Sequence, residues 1–251
     1  PFADSDDIGM VPNTFEALTL LNTSLKDTTI FLSQVQKWSG VDSEAPSTFT
    51  DINGNEGMQI VGITYEGVRK MTLSGWFYHL KDDVKISYLE ANYEDETDRF
   101  TYSAAVQYAF QDYDNAERST VYGAAASFGV KKVGLTTIIA YNKVNGIAAD
   151  NFFGGGPFFT NAEHNTLREE GPDGETLLYT LLWDASTIGA EGLTFMANID
   201  AHTGGQEHAR EYDIGMQYEY SDTVNFSAIY SDVENGDIAF KNLRVFANYC
   251  F

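Results

Sequence analysis

Three carboxylates fall within four residues at the start of the chain: Asp4, Asp6 and Asp7. Acids packed this closely do one of three things. They set a negative field at a narrow passage and favour cations there, they supply oxygen ligands to Ca²⁺, or they stay solvated. The segment lacks the fixed ligand ladder of an EF-hand, so Ca²⁺ at Asp4, Asp6 and Asp7 is the secondary expectation. Other groups that would act on a solute are Arg244 near the far end, with Asn242 and Asn248 on the same side, and the acids Glu90, Asp200, Asp213 and Glu219. Lys85 and Lys143 are weaker candidates, because the alternation around them does not fix their side. No Ser/His/Asp arrangement and no nucleophile-elbow motif occurs, so no enzyme is expected. The four histidines, His79, His164, His202 and His208, show no metal spacing. The glycine run Gly154-Gly155-Gly156 lacks the strand, helix and lysine of a phosphate loop. With phenylalanines on both sides, it is expected as a flexible tip anchored over the mouth of whatever carries it.

The elements that must hold these groups are strands. Tyr212, Ile214, Met216, Tyr218 and Tyr220 alternate with Asp213, Gly215, Gln217 and Glu219. Leu193, Phe195, Ala197, Ile199 and Ala201 alternate with Thr194, Met196, Asn198, Asp200 and His202. Tyr102 to Phe110 repeats the pattern. Period-two alternation gives each strand two faces in two different solvents. Here one face is apolar with aromatics near its ends, and the other carries amides, hydroxyls and carboxylates, as in a membrane-spanning barrel. About thirteen strands are expected, near 15–23, 28–38, 58–67, 70–80, 83–94, 97–111, 117–130, 134–145, 176–186, 191–202, 209–221, 224–232 and 238–251. Those before residue 95 alternate less cleanly, as at Trp76-Phe77-Tyr78.

Composition agrees without deciding. There are 251 residues, a net charge of −22, 17 Phe, 15 Tyr and five prolines. The single cysteine, Cys250, excludes an intrachain disulfide. No run reaches the roughly 18–20 apolar residues of a membrane helix, yet a barrel strand spans with about 9–11, half of them polar. The acidic balance argues against nucleic-acid partners. Loop parity is more telling. Alternating sides from the C-terminus places only short turns on one side and both long loops, 39–57 and 146–175, on the other, which is the barrel rule. The final strand ends in Phe251, on the same face as Tyr249, Ala247, Val245 and Leu243. The chain opens at Pro1 inside what reads as a loop. It is expected to lack its natural N-terminus and an odd number of strands.

The opening segment Pro1-Phe-Ala-Asp4-Ser-Asp6-Asp7-Ile-Gly9-Met-Val-Pro12-Asn-Thr-Phe15-Glu16-Ala resembles the stretch of OprD-type outer-membrane porins where the third extracellular loop folds into the pore and returns to the wall. Ser24-Leu-Lys26-Asp27-Thr resembles the tight turn that follows, and the epsilonproteobacterial major outer-membrane proteins are similar relatives. The resemblance implies an antiparallel up-and-down transmembrane β-barrel of about eighteen strands, thirteen of them here. It implies a single barrel domain over 1–251, with 1–14 as constriction loop and Phe251 as assembly signal. It also implies passive diffusion of small hydrophilic solutes or ions, outer-membrane lipid around the wall, and a homotrimer. Gly9 stands where those relatives tend to place an arginine, which argues against a strong carboxylate preference. Asp4, Asp6, Asp7, Asp200, Asp213, Glu219 and Arg244 are the expected pore residues. The rival readings are a non-porin barrel with adhesive or receptor loops at 146–175, and a soluble secreted β-sandwich.

Overall fold

The structure is a computed structural model, and it describes residues 1–4, 12–40, 48–203, 209–236 and 238–250. Its strands run in chain order: β1 (Thr14–Asn22), β2 (Thr28–Ser39), β3 (Thr50–Asp51), β4 (Met58–Tyr65), β5 (Met71–Leu80), β6 (Val84–Glu96), β7 (Phe100–Tyr113), β8 (Ser119–Val130), β9 (Leu135–Gly146), β10 (Glu175–Asp184), β11 (Leu193–Thr203), β12 (Ala209–Ser221), β13 (Val224–Asn235) and β14 (Ile238–Tyr249). The two-residue β3 pairs only with β2. The other thirteen form one sheet in which every strand bonds to its sequence neighbours, with β1 and β14 as its edges. All strand pairs are antiparallel. A single sheet in meander order excludes the two-layered sandwich. Each expected strand is present within a few residues.

The connections alternate as expected. Turns at 23–27, 66–70, 97–99, 131–134, 185–192 and 222–223 lie at one end. At the other end lie the strand ends Ser39 and Met58, Leu80 and Val84, Tyr113 and Ser119, Gly146 and Glu175, Thr203 and Ala209, and Asn235 and Ile238. The short turns use left-handed residues where the chain must reverse. Gly134 sits at φ 67° after a single 3₁₀ turn, and a Cβ there would overlap the Asp184 carbonyl oxygen.

Pairing register fixes the faces. On β12, Tyr212, Ile214, Met216, Tyr218 and Tyr220 point to the exposed outer face, while Ala209, Glu211, Asp213 and Gly215 are buried on the inner one. On β7, Tyr102 and Val106 are outside and Gln107, Ala109 and Gln111 inside. Aromatics on the outer face gather in two belts. Tyr108–Tyr122 (centroids 5.4 Å) belongs to the long-loop end. Tyr93–Tyr102, Phe100–Phe128 and Trp183–Phe195 (6.4, 5.3 and 5.6 Å) belong to the short-turn end. Between Tyr212 and Tyr218 the outer face carries only Ile214 and Met216 over about 20 Å of strand. Beyond the long-loop belt the outer face turns ionic, with Lys81–Glu56, Arg210–Glu234 and Lys241–Asp232 at 2.8–2.9 Å.

The weak alternation before residue 95 has a physical cause. The inner faces of β4, β5 and β6 are themselves apolar. Met58, Ile60, Tyr78, Leu80, Val84, Ile86 and Tyr88 are buried there in one cluster with Phe2, Ala149, Phe158 and Leu167 from the loops. A strand with a greasy outer face and a packed inner face has no polar side to alternate with.

An arginine on the hydrocarbon face costs about 2–4 kcal/mol at mid-membrane. Ile214→Arg is therefore expected to destabilise the sheet in lipid by about that amount, and Gln217→Arg on the inner face by less than about 0.5 kcal/mol. Urea titration of variants folded into lipid bilayers measures both.

Candidate functional site

The inner face is where a solute would meet the protein, and two segments fold onto it. The loop 147–174 lies along the wall instead of standing over the mouth. Its first half is held by neutral groups of β7 and β9. The Gln111 amide donates to the Asp150 carbonyl (2.7 Å) and accepts from the Asp150 N–H (2.9 Å). The Asn142 side-chain oxygen accepts from the Thr160 N–H and hydroxyl (3.1 and 3.0 Å). In the orientation that satisfies its neighbours, the Gln107 amide donates to the Pro157 carbonyl and accepts from the Phe159 N–H (3.0 and 2.8 Å).

The opening segment is stitched to the same loop. Ala3 and Phe153 form a parallel bridge. The Phe153 N–H donates to the Phe2 carbonyl and the Asp4 N–H to the Phe153 carbonyl (3.1 and 3.3 Å). Phe2 is fully buried, edge-on to Tyr78, Tyr88, Phe152 and Phe158 at 5.5–5.9 Å. Such aromatic pairs add about 0.5–1.5 kcal/mol each beyond area burial. Asp4 packs against Gly154, where a Cβ would overlap the Asp4 carboxylate. The glycine run is thus a point of close approach between the two inserted segments.

The second half of the loop is held by charge. The Glu211 carboxylate, on β12, accepts the backbone N–H of His164 (3.0 Å) and of Asn165 (2.6 Å). Glu163 pairs with Arg244 of β14. The His164 ring sits edge-on to Phe240 at 5.2 Å, with its Nε2 3.4 Å from the Asn242 amide. Burial lowers the His164 pKa from its ordinary 6.5, and the Asp213 carboxylate opposes that shift.

Beneath this corner lie acids sealed from solvent. Asp200, Glu211 and Asp213 are 0–1% exposed. Asp200 is bound to His202 Nε2, whose Nδ1 is 3.3 Å from the Thr176 hydroxyl.

The expected site residues therefore fall in separate places. Asp200 and Asp213 come together on β11 and β12. Arg244 is nearby on β14, engaged by the loop. Glu219 is exposed at the short-turn end of β12, about 20 Å along the strand from Asp213. Glu90 faces inward beside Tyr88 and Asn92. Asp4 lies on the other side of the loop. Asp6, Asp7, His208 and Phe251 lie outside the described residues. Lys85 and Lys143 are not inner-face groups. Register puts both on the outer face at the long-loop rim, 3.8 Å from Asp114 and Glu175 respectively. Glu211, Glu163 and His164 were not anticipated. Glu211 shares the parity of Asp213, so the alternation already pointed it inward. Nothing in the spacing of Glu163 and His164 revealed that their loop folds back.

The family model of the outer membrane porin, OprD family, matches residues 1–235. The chain belongs to this family. It is an outer-membrane porin and not an enzyme. A search of curated proteins finds no match. Among solved structures, the fold is similar to a BenF-like porin from Pseudomonas fluorescens Pf-5 (TM-score 0.86, 14% identity, 99% of this chain and 71% of that one). It is also similar to Pseudomonas aeruginosa OpdK, solved with vanillate (0.84, 16%, 99% and 71%), and to P. aeruginosa OccK10 (OpdN) (0.86, 13%, 100% and 76%). The sheet of this porin is thus the wall of an up-and-down barrel. Its inner face lines the lumen.

His164 is neutral where it packs, and folding depresses its pKa. Its share of loop anchoring is therefore complete above about pH 6.5 and is lost as the pH falls through the lowered value. An NMR titration of the ring in detergent is expected to give a midpoint below 6.5. A midpoint at or above 6.5 would mean that the ring is solvated.

Proposed function

We propose that this porin passes small hydrophilic solutes, with a preference for cations, through a lumen narrowed by residues 1–14 together with the infolded loop 147–174. The observation that carries the reading is the double insertion. Phe2 and the phenylalanines of the loop pack on the inner wall of β4–β9, and the Glu163–Arg244 and Glu211 contacts fasten the loop across to β12 and β14. A pore crossed this way is restricted by groups whose charge then selects what passes.

The charges favour cations. The chain carries 37 acids against 15 bases. Of the bases, Arg244 is engaged by Glu163, while Lys85, Lys143, Arg210 and Lys241 sit in outer-face ion pairs. Asp4, with Asp6 and Asp7 beside it in sequence, and Glu90 supply negative field near the crossing, and Glu219 supplies it at the short-turn end. In this reading Ca²⁺ at Asp4, Asp6 and Asp7 is the lesser alternative to a pore field.

The edges β1 and β14 must be joined in the membrane, because unpaired backbone groups in hydrocarbon cost several kcal/mol each. We propose that further strands do this, giving about eighteen. The neighbours' greater length has room for them. A receptor role for loop 147–174 is disfavoured, since its aromatic residues are spent inward. A homotrimer is checked by the native mass in detergent. A monomer there removes the trimer and leaves the channel reading intact.

Planar-bilayer recordings under a salt gradient are expected to give a reversal potential of cation-selective sign. Replacing Asp4, Asp6 and Asp7 with Asn is expected to move it at least severalfold toward zero in permeability ratio. An unchanged potential would remove those three from the filter, and an anion-selective wild type would overturn the charge reading.

A further inference from the structure

Glu211 and Asp213 stand two residues apart on the inner face of β12, both sealed from solvent. Their carboxyl groups are hydrogen-bonded to each other. Nothing else donates to Asp213. Its two oxygens have no other partner, and the sealed Asn165 Nδ2 in the same corner donates to nothing.

An ionised carboxylate only accepts hydrogen bonds, so a bond between two carboxyl groups requires a proton on one of them. Two carboxyl groups in one buried site do not both ionise, and they titrate as a unit. No group of His, Cys, Asp and Glu side chains among the described residues is arranged to hold a metal ion in place of that proton.

The same pair holds the loop. Glu211 accepts the backbone N–H of His164 and of Asn165 (3.0 and 2.6 Å), so the corner 163–165 rests on the carboxyl group that Asp213 touches. The charged groups around the pair do not neutralise it. Across the ladder, β11 brings Asp200 opposite Glu211, and Asp200 is already bound to His202. On the other side, β13 brings the uncharged Ser231 and Val233. From β14 comes Arg244, engaged by Glu163 of the loop. The loop also brings His164, whose ring feels the Asp213 charge.

We propose that Asp213 is a positioning residue for the constriction, acting through Glu211. One shared proton keeps the two carboxyl groups together and so keeps Glu211 under the loop corner. When that proton leaves, two like charges face each other in a sealed site. Glu211 is then driven toward water, and the two amides it held are freed. Anchoring through the pair is therefore complete at neutral pH and is lost as the pH rises. His164 acts with the opposite sign on the acid side, so the two effects separate on one pH axis. Only the consequence for current rests on the reading of loop 147–174 as the constriction.

Hydrogen exchange at the His164 and Asn165 amides, followed by NMR in detergent and corrected for intrinsic base catalysis, tests the shared proton. In the wild type, protection of both amides is expected to fall at least tenfold from neutral to alkaline pH, with single-channel conductance rising at least 1.5-fold over the same interval. Asp213→Asn keeps a side chain that donates to Glu211 without titrating. It should hold both protection and conductance flat, although every other group that titrates in alkali is still present. Asp200→Asn lies outside the pair and should behave as the wild type. Heat-modifiable migration establishes folding, and Glu211→Gln, which also keeps the pair bonded without a shared proton, replaces Asp213→Asn if that variant does not fold. Wild-type protection that is unchanged in alkali, or that falls equally in the folded Asn or Gln variant, would overturn the proposal. Protection that falls while conductance stays constant would support the shared proton and remove the loop from the constriction instead.

Discussion

Backbone amides and carbonyls cannot be left unpaired in hydrocarbon, and the rest of this structure depends on that constraint. It forces every membrane-crossing segment into a ladder with its neighbours, so thirteen strands lie side by side in sequence order. Once the ladder is fixed, the pleat sends odd and even side chains to opposite solvents. Tyrosines and branched aliphatics gather on one side, and amides and carboxylates on the other. The outer face needs no core because lipid covers it. The inner face needs one only where something folds against it.

That second condition explains the unequal halves of the wall. The inner faces of β4–β6 are apolar because Phe2 and the phenylalanines of loop 147–174 pack there. The inner faces of β11–β14 are ionic because the same loop reaches them through Glu163, His164 and the Asn165 amide. One inserted loop thus has a side held by apolar packing and neutral hydrogen bonds and a side held by charge. The narrowing of the lumen and the burial of Asp200, Glu211 and Asp213 are consequences of the same insertion.

Most of the wall was legible in the sequence. Strands with one lipid face and one wet face advertise themselves by alternation, and β7, β11, β12 and β14 were read with the correct sides. Loop parity was legible too, because turn length depends on which side of the membrane a turn occupies. Legibility failed where two faces were apolar, as at Trp76-Phe77-Tyr78. There Phe77 faces lipid and its neighbours face the inserted core, so no polar residue marks the period. It failed again at Lys85 and Lys143, whose outward ion pairs at the rim lie above the hydrocarbon and so escape the penalty that would have turned them inward. The corner Glu163-His164-Asn165 was invisible because its partners are 46–81 residues away. Local spacing carries no trace of a loop that doubles back across its own wall.

The account stands or falls on the two solvents of the wall. Spin labels placed singly along β12, from Tyr212 to Glu219, in lipid bilayers report contact with oxygen dissolved in hydrocarbon and with a water-soluble nickel complex. The account predicts a period of two: labels at 212, 214, 216 and 218 relaxed by oxygen, and those at 215, 217 and 219 by nickel. Equal accessibility on both faces, or nickel reaching the tyrosine-bearing side, would contradict it.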